Sequence, residues 1–159
     1  MNPTPEKTSV MAPFILMLFL YFIVGLFTVI NQQFQVPLKS ALLPHDGNMT
    51  NALVTLLNFS WFLAYPFSEG FATRWVDRLG YRKTSVYSLL IFIVGLGFYE
   101  AAVLLHIYAP SYITIMGNPI FTGFFVFLSG SFVIGMAVTI LQVVTGLYLD
   151  VNPVGKTTP

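Results

Sequence analysis

The chain has 159 residues, but it contains only 7 Lys and Arg and 6 Asp and Glu, so charged residues make up 8% of the sequence. An ordinary soluble domain has roughly 25%, and so few charges do not cover the surface of a water-soluble protein. This excludes a cytosolic enzyme, a disordered chain and a nucleic-acid binder, which needs a basic face. Cysteine is absent, which excludes a disulfide scaffold, a thiolate metal site and a cysteine nucleophile. We therefore expect an integral membrane protein.

Long uncharged segments predict the membrane-spanning helices. A spanning helix needs about 20 mostly apolar residues, and four segments of the chain meet this requirement. Their predicted bounds are residues 12–36, 48–71, 84–107 and 121–149. The first segment is apolar without alternating polar residues, which argues against a β-barrel. The expected fold is therefore an all-α membrane region over residues 12–149, preceded by a tail of residues 1–11 and followed by a tail of residues 150–159.

The positions of Lys and Arg predict the orientation of these helices. If the connections alternate between the two sides of the membrane, every Lys and Arg except Lys39 lies on one side. Cytoplasmic loops carry the excess of positive charge. Both termini and the connection of residues 72–83 are therefore expected in the cytoplasm. The connection of residues 108–120 has no charge and is expected on the outer side.

The connection of residues 72–83 is expected to form a tight turn. Gly80 allows the positive φ that a short reversal needs. Asp77 can accept hydrogen bonds from nearby helix N-termini and can pair with arginine. The cationic side chains would anchor both flanking helices at the lipid headgroups. Any basic inner loop has these properties, so a purely structural role stays open.

Three segments together resemble one family of transporters. Residues 77–83, Asp-Arg-Leu-Gly-Tyr-Arg-Lys, resemble the signature between the second and third helices of the major facilitator superfamily. Residues 28–39 are similar to the end of helix 1 in the fucose permease and glucose/galactose permease branch, and residues 141–148 are similar to its helix 4 motif. Thr73 stands where the family usually has glycine, so the close helix approach made by that glycine is not implied.

The resemblance implies a membrane protein of the bacterial inner membrane. Members have about twelve spans built from inverted repeats, so the four spans predicted in this chain would come from the N-terminal half of a major-facilitator fold. We therefore expect that residues 150–159 are a truncated tail and that the isolated chain is inactive. The resemblance also implies a gate at the cytoplasmic face, formed by Asp77, Arg78, Gly80 and Arg82.

Neutral polar side chains within the predicted helices are the candidates for substrate binding. They are Asn31, Gln32, Gln35, Asn58, Thr139 and Gln142. Amides both donate and accept hydrogen bonds, as the hydroxyl groups of an uncharged sugar require. Packing between helices produces similar stripes of small and polar residues, and we expect packing at Gly25, Ser131, Gly135 and Gly146. Glu100, an acid within the third predicted span, is expected to reach water near the outer interface.

The resemblance implies a secondary transporter that carries a neutral monosaccharide of the fucose, glucose or galactose class by alternating access. No enzymatic activity, cofactor or metal is expected, and the partners are the sugar, the lipid bilayer and the remaining helices of the same transporter. In the fucose permease, carboxylates carry the coupling proton at the positions of Gln32 and Gln142. Because glutamine does not titrate, proton or sodium coupling and uncoupled transport all stay open.

Two other functions are compatible with four apolar helices. The first is a small-molecule exporter that works as a dimer of four-span chains, although exporters of that kind use a glutamate in helix 1, which this chain lacks. The second is a membrane scaffold without transport activity. Scaffolds of that type rely on outer loops joined by disulfides, and this chain has no cysteine.

Overall fold

The computed structural model describes residues 11–33, 37, 40, 43, 48–115 and 117–151, of which 90% are helical. One long helical stretch, Asn48–Tyr108, is interrupted at Gly80, and its two parts are labelled separately below. The elements in chain order are α1 (Met11–Gln33), α2 (48–79), α3 (81–108), β1 (Tyr112–Ile115), β2 (Asn118–Phe121) and α4 (Thr122–Val151).

The helices have the length and composition of membrane-spanning segments. Among the described residues, three helices are long and apolar enough to cross a membrane, namely α1, the interrupted helix and α4. The interrupted helix has 61 residues, which would extend about 90 Å at 1.5 Å per residue if it were straight. That is three times the roughly 30 Å thickness of a bilayer core. The described part of the chain is thus largely helical, with helices that could cross a membrane, as the sequence predicts.

The chain reverses direction at Gly80. This residue has φ 77° and ψ 165°, which is the positive φ that the sequence predicts and a conformation essentially restricted to glycine. Trp75 of α2 and Tyr87 of α3 make an edge contact across the reversal, with ring centroids 6.2 Å apart. Helices α2 and α3 therefore form an antiparallel hairpin.

Most of the connection predicted over residues 72–83 is helical. Helix α2 continues past the predicted end at residue 71, because Ala72 and Val76 are buried in a cluster with Ile140 and Val144 of α4. The end of this helix was predicted at the first charged residues. In the structure these residues lie on the exposed side of a helix that continues past them. The break is therefore confined to the immediate neighbourhood of Gly80.

Helix α4 lies at the centre of the structure. More than half of its most apolar stretch is buried, compared with 11% of that in α1. It runs parallel to α2 and antiparallel to α3, since Tyr99 stacks on Phe127 near its start and Tyr81 contacts Tyr148 near its end. Val24 of α1 packs in a cluster with three residues of α4, which are Ile134, Val138 and Leu141. The four helical segments thus alternate in direction, and the Gly80 reversal lies at the end of the bundle where α1 begins and α4 ends.

The connection between α3 and α4 contains a β-hairpin that the sequence analysis did not predict. Strands β1 and β2 are antiparallel, and Gly117 with φ 82° lies in the two-residue turn between them. The Thr122 amide donates to the Ser111 carbonyl at 2.8 Å. Because hydrogen-bonded and non-hydrogen-bonded pairs alternate, this bond places Pro119 opposite Thr114 in a non-hydrogen-bonded pair. Pro119 therefore sits where its missing N–H is not needed.

The remaining predicted boundaries fall partly beyond the described residues. The tail of residues 1–11 is described only from Met11, and the tail of residues 150–159 only to Val151. The predicted end of the first helix at residue 36 also lies outside the described residues. The predicted starts of the second and fourth helices, at residues 48 and 121, agree closely with the observed starts.

Candidate functional site

A cavity of about 550 Å³ opens among the four helical segments. Most of the side chains around it are aromatic or aliphatic, and the polar groups come from a few residues of α1, α2 and α3. The lining residues are Phe27, Ile30, Asn31, Trp61, Phe92, Leu96, Tyr99, Glu100, Val103, Phe127 and Ile134. Apolar walls with a small number of polar groups are typical of sites for small molecules.

Aromatic contacts fix the walls of this cavity. Phe27 of α1 meets Phe92 of α3 edge to face, with ring centroids 4.8 Å apart. Tyr99 of α3 and Phe127 of α4 are stacked, with centroids 3.9 Å apart and an interplanar angle of 3°. Both pairs join different helices, so the cavity depends on the assembled bundle and is absent from any single helix.

Tyr99 is also held by a hydrogen bond. Its hydroxyl lies 2.9 Å from the hydroxyl oxygen of Ser131 on α4, and Ser131 is fully buried. Gly130 provides the space for the ring, because a Cβ at this position would lie 2.8 Å from Cδ1 of Tyr99. The Tyr99 ring is therefore fixed on its face by Phe127 and at its hydroxyl by Ser131.

We expect the bond between Tyr99 and Ser131 to contribute to the stability of the bundle. Tyr99→Phe and Ser131→Ala, made singly and together, should show a coupling energy of about 0.6 kcal/mol and at most about 1.7 kcal/mol, the range measured for such bonds between membrane helices. The measurement is the free energy of unfolding in mixed micelles followed by circular dichroism.

Ser129→Ala is the matched control for this cycle, because Ser129 is exposed and bonds only within its own helix, to the Phe125 carbonyl at 2.9 Å. Tyr99→Phe should be additive with Ser129→Ala. Additive effects of Tyr99→Phe and Ser131→Ala would contradict a stabilising bond between these two hydroxyls.

Three buried polar atoms on α2 have no hydrogen-bond partner among the described residues. They are Oδ1 of Asn58, Nε1 of Trp61 and Oγ of Ser68, and the first two lie one helical turn apart. The indole nitrogen only donates and the amide oxygen only accepts. Leaving such a group without a partner costs about 1–3 kcal/mol. Trp61 belongs to the cavity lining, but its indole nitrogen is itself covered by the surrounding protein.

Only some of the predicted substrate residues lie at this cavity. Asn31 lines it, and Asn58 lies one turn from Trp61 on the same helix. Gln32 is exposed and does not line the cavity. Gln35 lies outside the described residues. The structure therefore brings Asn31, rather than the whole set of amides on α1, to the cavity.

Both predicted residues of α4 also lie away from the cavity lining. Thr139 is buried, and its hydroxyl donates to the carbonyl of Gly135 at 2.8 Å. Gln142 is half-buried, and it is not among the residues that line the cavity. The packing prediction is confirmed at Gly135, which lies against α2, since a Cβ on it would be 2.7 Å from the Trp61 carbonyl oxygen. It is wrong at Gly25 and Gly146, because a Cβ added at either position meets no atom within 4 Å.

The predicted gate residues lie at the end of the bundle farthest from the cavity. Asp77, Arg78 and Arg82 are exposed around Gly80. Glu100 follows Gly80 by 20 residues of helix, which corresponds to about 30 Å at 1.5 Å per residue. Side chains at the Gly80 reversal therefore do not contact a ligand in the cavity, and any effect on it is exerted through movement of the helices.

The aromatic members of the site were missed by sequence reasoning. The chain contains 16 Phe, and nothing in the sequence separates Phe27, Phe92 and Phe127 from those that face lipid. Tyr99 carried a usable signal, because a tyrosine hydroxyl inside an apolar helix needs a partner. The stripe of small residues on α4 contained that partner, Ser131.

Comparison with known protein families, with curated proteins and with solved structures finds no match for this chain. The cavity and the arrangement of the helices are therefore the features from which its function is inferred. A volume of about 550 Å³ lies within the roughly 300–1,000 Å³ typical of sites for small ligands.

Proposed function

We propose that the chain forms part of a secondary transporter that carries a neutral monosaccharide, of the fucose, glucose or galactose class, across the bacterial inner membrane by alternating access. The cavity among the helices is the observation that supports this most strongly. Its aromatic rings offer flat faces for the apolar side of a sugar ring, and Asn31 offers a group that both donates and accepts. The sugar binds at this cavity, and a motion of the helices exposes the cavity to each side of the membrane in turn.

The proposal includes four membrane spans, with α2 and α3 crossing separately. Residues 48–79 and 81–108 each exceed the roughly 20 residues that a span requires. With the excess of Lys and Arg on the inner side, the Gly80 reversal and both termini lie in the cytoplasm. Asp77, Arg78, Gly80 and Arg82 then form the gate, and the other helices of the transporter complete the far wall of the cavity.

Uptake of radiolabelled monosaccharides into proteoliposomes tests this function. The intact protein is reconstituted and given fucose, glucose, galactose and an uncharged non-sugar solute, with and without a proton or sodium gradient. The proposal expects saturable uptake of at least one sugar. Absence of uptake for all sugars, together with a correctly folded protein, would refute it.

Replacement of Asn31 should weaken sugar uptake. Asn31→Ala removes a donor and an acceptor from the cavity, and the loss of about 1–3 kcal/mol corresponds to about 5- to 150-fold lower transport efficiency. Gln33→Ala is the matched control, because Gln33 lies on the same helix and is exposed. Equal uptake by the two variants would show that Asn31 does not contribute to sugar binding.

Gln32 and Gln142 give a separate test of the resemblance. If they occupy substrate positions in the intact transporter, Gln32→Ala and Gln142→Ala should each lower sugar uptake by a factor of hundreds or less, with little loss of membrane expression. The readout is initial uptake rate normalised to protein in the membrane. Normal uptake by both variants would assign these residues to helix packing.

The dimeric exporter is the second candidate, and the exposure of α1 favours it. Only 11% of the most apolar stretch of α1 is buried, which leaves an apolar surface for lipid or for a second copy of the chain. Tagging the N-terminus at the chromosomal locus and blotting membranes separates the alternatives. A band far above 17.7 kDa favours the longer permease, and a band at that mass favours a dimer or a scaffold.

A further inference from the structure

The two helices that meet at Gly80 each carry a cation on the same face as an aromatic ring. Arg78 follows Trp75 by three residues on α2, and Lys83 precedes Tyr87 by four residues on α3. Residues three and four apart are neighbours on a helix surface. The rings of Trp75 and Tyr87 are in edge contact, with centroids 6.2 Å apart. Both cations therefore belong to the same side of the hairpin.

Neither cation has an ion-pair partner among the described residues. Arg78 and Lys83 are exposed, and no acid of the described part of the chain pairs with either of them. Asp77 directly precedes Arg78, so it lies about 100° away around the helix. Lys83 is in the first turn of α3, where a positive charge is unfavourable to the helix dipole. Ion pairing and helix stability thus leave both charges to a partner outside the chain.

An exposed apolar strip continues along α3 from Lys83. Tyr87, Leu90 and Val94 follow it by 4, 7 and 11 residues, which is the spacing of one helix face, and all three are exposed. Residues 81–108 extend about 42 Å at 1.5 Å per residue, close to the roughly 40–45 Å of a bilayer with its headgroups. With α3 crossing the membrane, its first turn lies among the headgroups and the strip faces acyl chains.

Charge and apolar surface together select one kind of partner. Each Lys or Arg near the membrane surface strengthens binding to anionic lipid about fivefold. Tryptophan and tyrosine are enriched at the same depth, which is where the Trp75 and Tyr87 rings meet. A soluble anion would match the two cations but would leave the strip below them without a function. A lipid matches both parts of the surface.

We propose that Arg78 and Lys83 bind the headgroup of an anionic phospholipid whose acyl chain lies along Tyr87, Leu90 and Val94. The headgroup then contacts both helices of the hairpin at its reversal. The inference goes beyond sugar transport. It needs α2 and α3 to cross the membrane separately, as proposed above, but it makes no use of the cavity or of a substrate.

Quenching of Trp75 fluorescence by brominated lipid measures this binding. The purified intact protein is reconstituted in mixtures of phosphatidylglycerol and phosphatidylcholine, with bromine on the acyl chains of one or the other. The signal that is lost in Trp75→Phe identifies the fluorescence of Trp75. Two cations at about fivefold each predict that phosphatidylglycerol is preferred about 25-fold. Equal quenching by the two brominated lipids would overturn the proposal.

Variants assign the preference to the two cations. Arg78→Gln and Lys83→Gln should each lower it about fivefold, and the double variant should bring it close to one. Arg82→Gln is the matched control, because Arg82 is exposed beside Lys83 but lies about 140° around α3 from Tyr87. It should keep most of the preference. Equal losses in Arg82→Gln and Lys83→Gln would overturn the assignment to this face.

Two further measurements distinguish a lipid from a soluble anion. Glycerol 3-phosphate carries the charge without acyl chains, and at equal ionic strength it should leave the quenching by brominated phosphatidylglycerol unchanged. Displacement of the lipid by this compound would show a site for soluble phosphates and would overturn the proposal. Raising the salt concentration should lower the preference, because exposed charges are screened. A preference independent of salt would contradict the role of the two cations.

Discussion

Gly135→Ala is expected to destabilise the helix bundle, although alanine is the better helix former by about 1 kcal/mol. The added Cβ would lie 2.7 Å from the backbone carbonyl oxygen of Trp61 and 2.9 Å from the Cβ of Ala64. Neither atom belongs to a flexible side chain, so α2 and α4 must move apart to make room. Overpacking of this kind costs typically about 1–3 kcal/mol. The measurement is the free energy of unfolding in mixed micelles.

Gly146→Ala is the matched control for this prediction. Gly146 lies on the same helix, but a Cβ added there meets nothing within 4 Å. The substitution should therefore be neutral or stabilising, as helix propensity alone predicts. If Gly135→Ala and Gly146→Ala changed stability by the same amount, the close approach of α2 and α4 at Gly135 would be refuted.

Gly80→Ala should destabilise the hairpin of α2 and α3 through the backbone alone. A Cβ at Gly80 meets no atom within 4 Å, so steric crowding by neighbours does not contribute. The cost comes from φ 77° combined with ψ 165°, a region essentially closed to residues with a side chain and worth about 1–3 kcal/mol. Thermal unfolding of the purified protein in detergent measures the effect.

The φ and ψ angles of Gly80 together also predict the effect of asparagine at this position. Asparagine tolerates the left-handed helical region, where ψ is near +47°, but Gly80 has ψ 165°. Gly80→Asn should consequently be no milder than Gly80→Ala. Gly70→Ala is the control, because Gly70 also has open space around it and no positive φ, and it should retain normal stability. Rescue by asparagine would show that the turn has a different backbone conformation.

The sequence predicts the helices well because their signal is local. A long apolar segment needs no partner to be recognised, and the start of α4 was placed within a residue of Thr122. The end of α2 was placed too early, since the burial of Ala72 and Val76 depends on contacts with α4 that are remote in sequence. The β-hairpin was missed for a related reason. Its four-residue strands are too short for a pattern to stand out.

The site was less predictable than the fold. Polar side chains are conspicuous in an apolar helix, so Asn31 was selected as a candidate from the sequence. The sequence does not say which way each amide faces when several are adjacent, and Gln32 is exposed in the structure. In a chain rich in phenylalanine, the sequence does not show which rings form the cavity wall. Phe127 lies at the cavity and Phe59 faces outward, and this difference depends on the position of α4.

The central position of α4 bears on how the protein is made. Synthesis proceeds from the N-terminus, so α1 and the hairpin of α2 and α3 leave the ribosome before the helix that joins them. Val24 and Trp61 lie in one buried cluster with Ile134 and Val138, and this cluster does not exist until α4 enters the bilayer. Until then α1 and the hairpin of α2 and α3 lack the contacts that α4 supplies to both of them. Ribosomes stalled within α4 would therefore carry a chain whose helices are inserted but whose cavity has not yet formed.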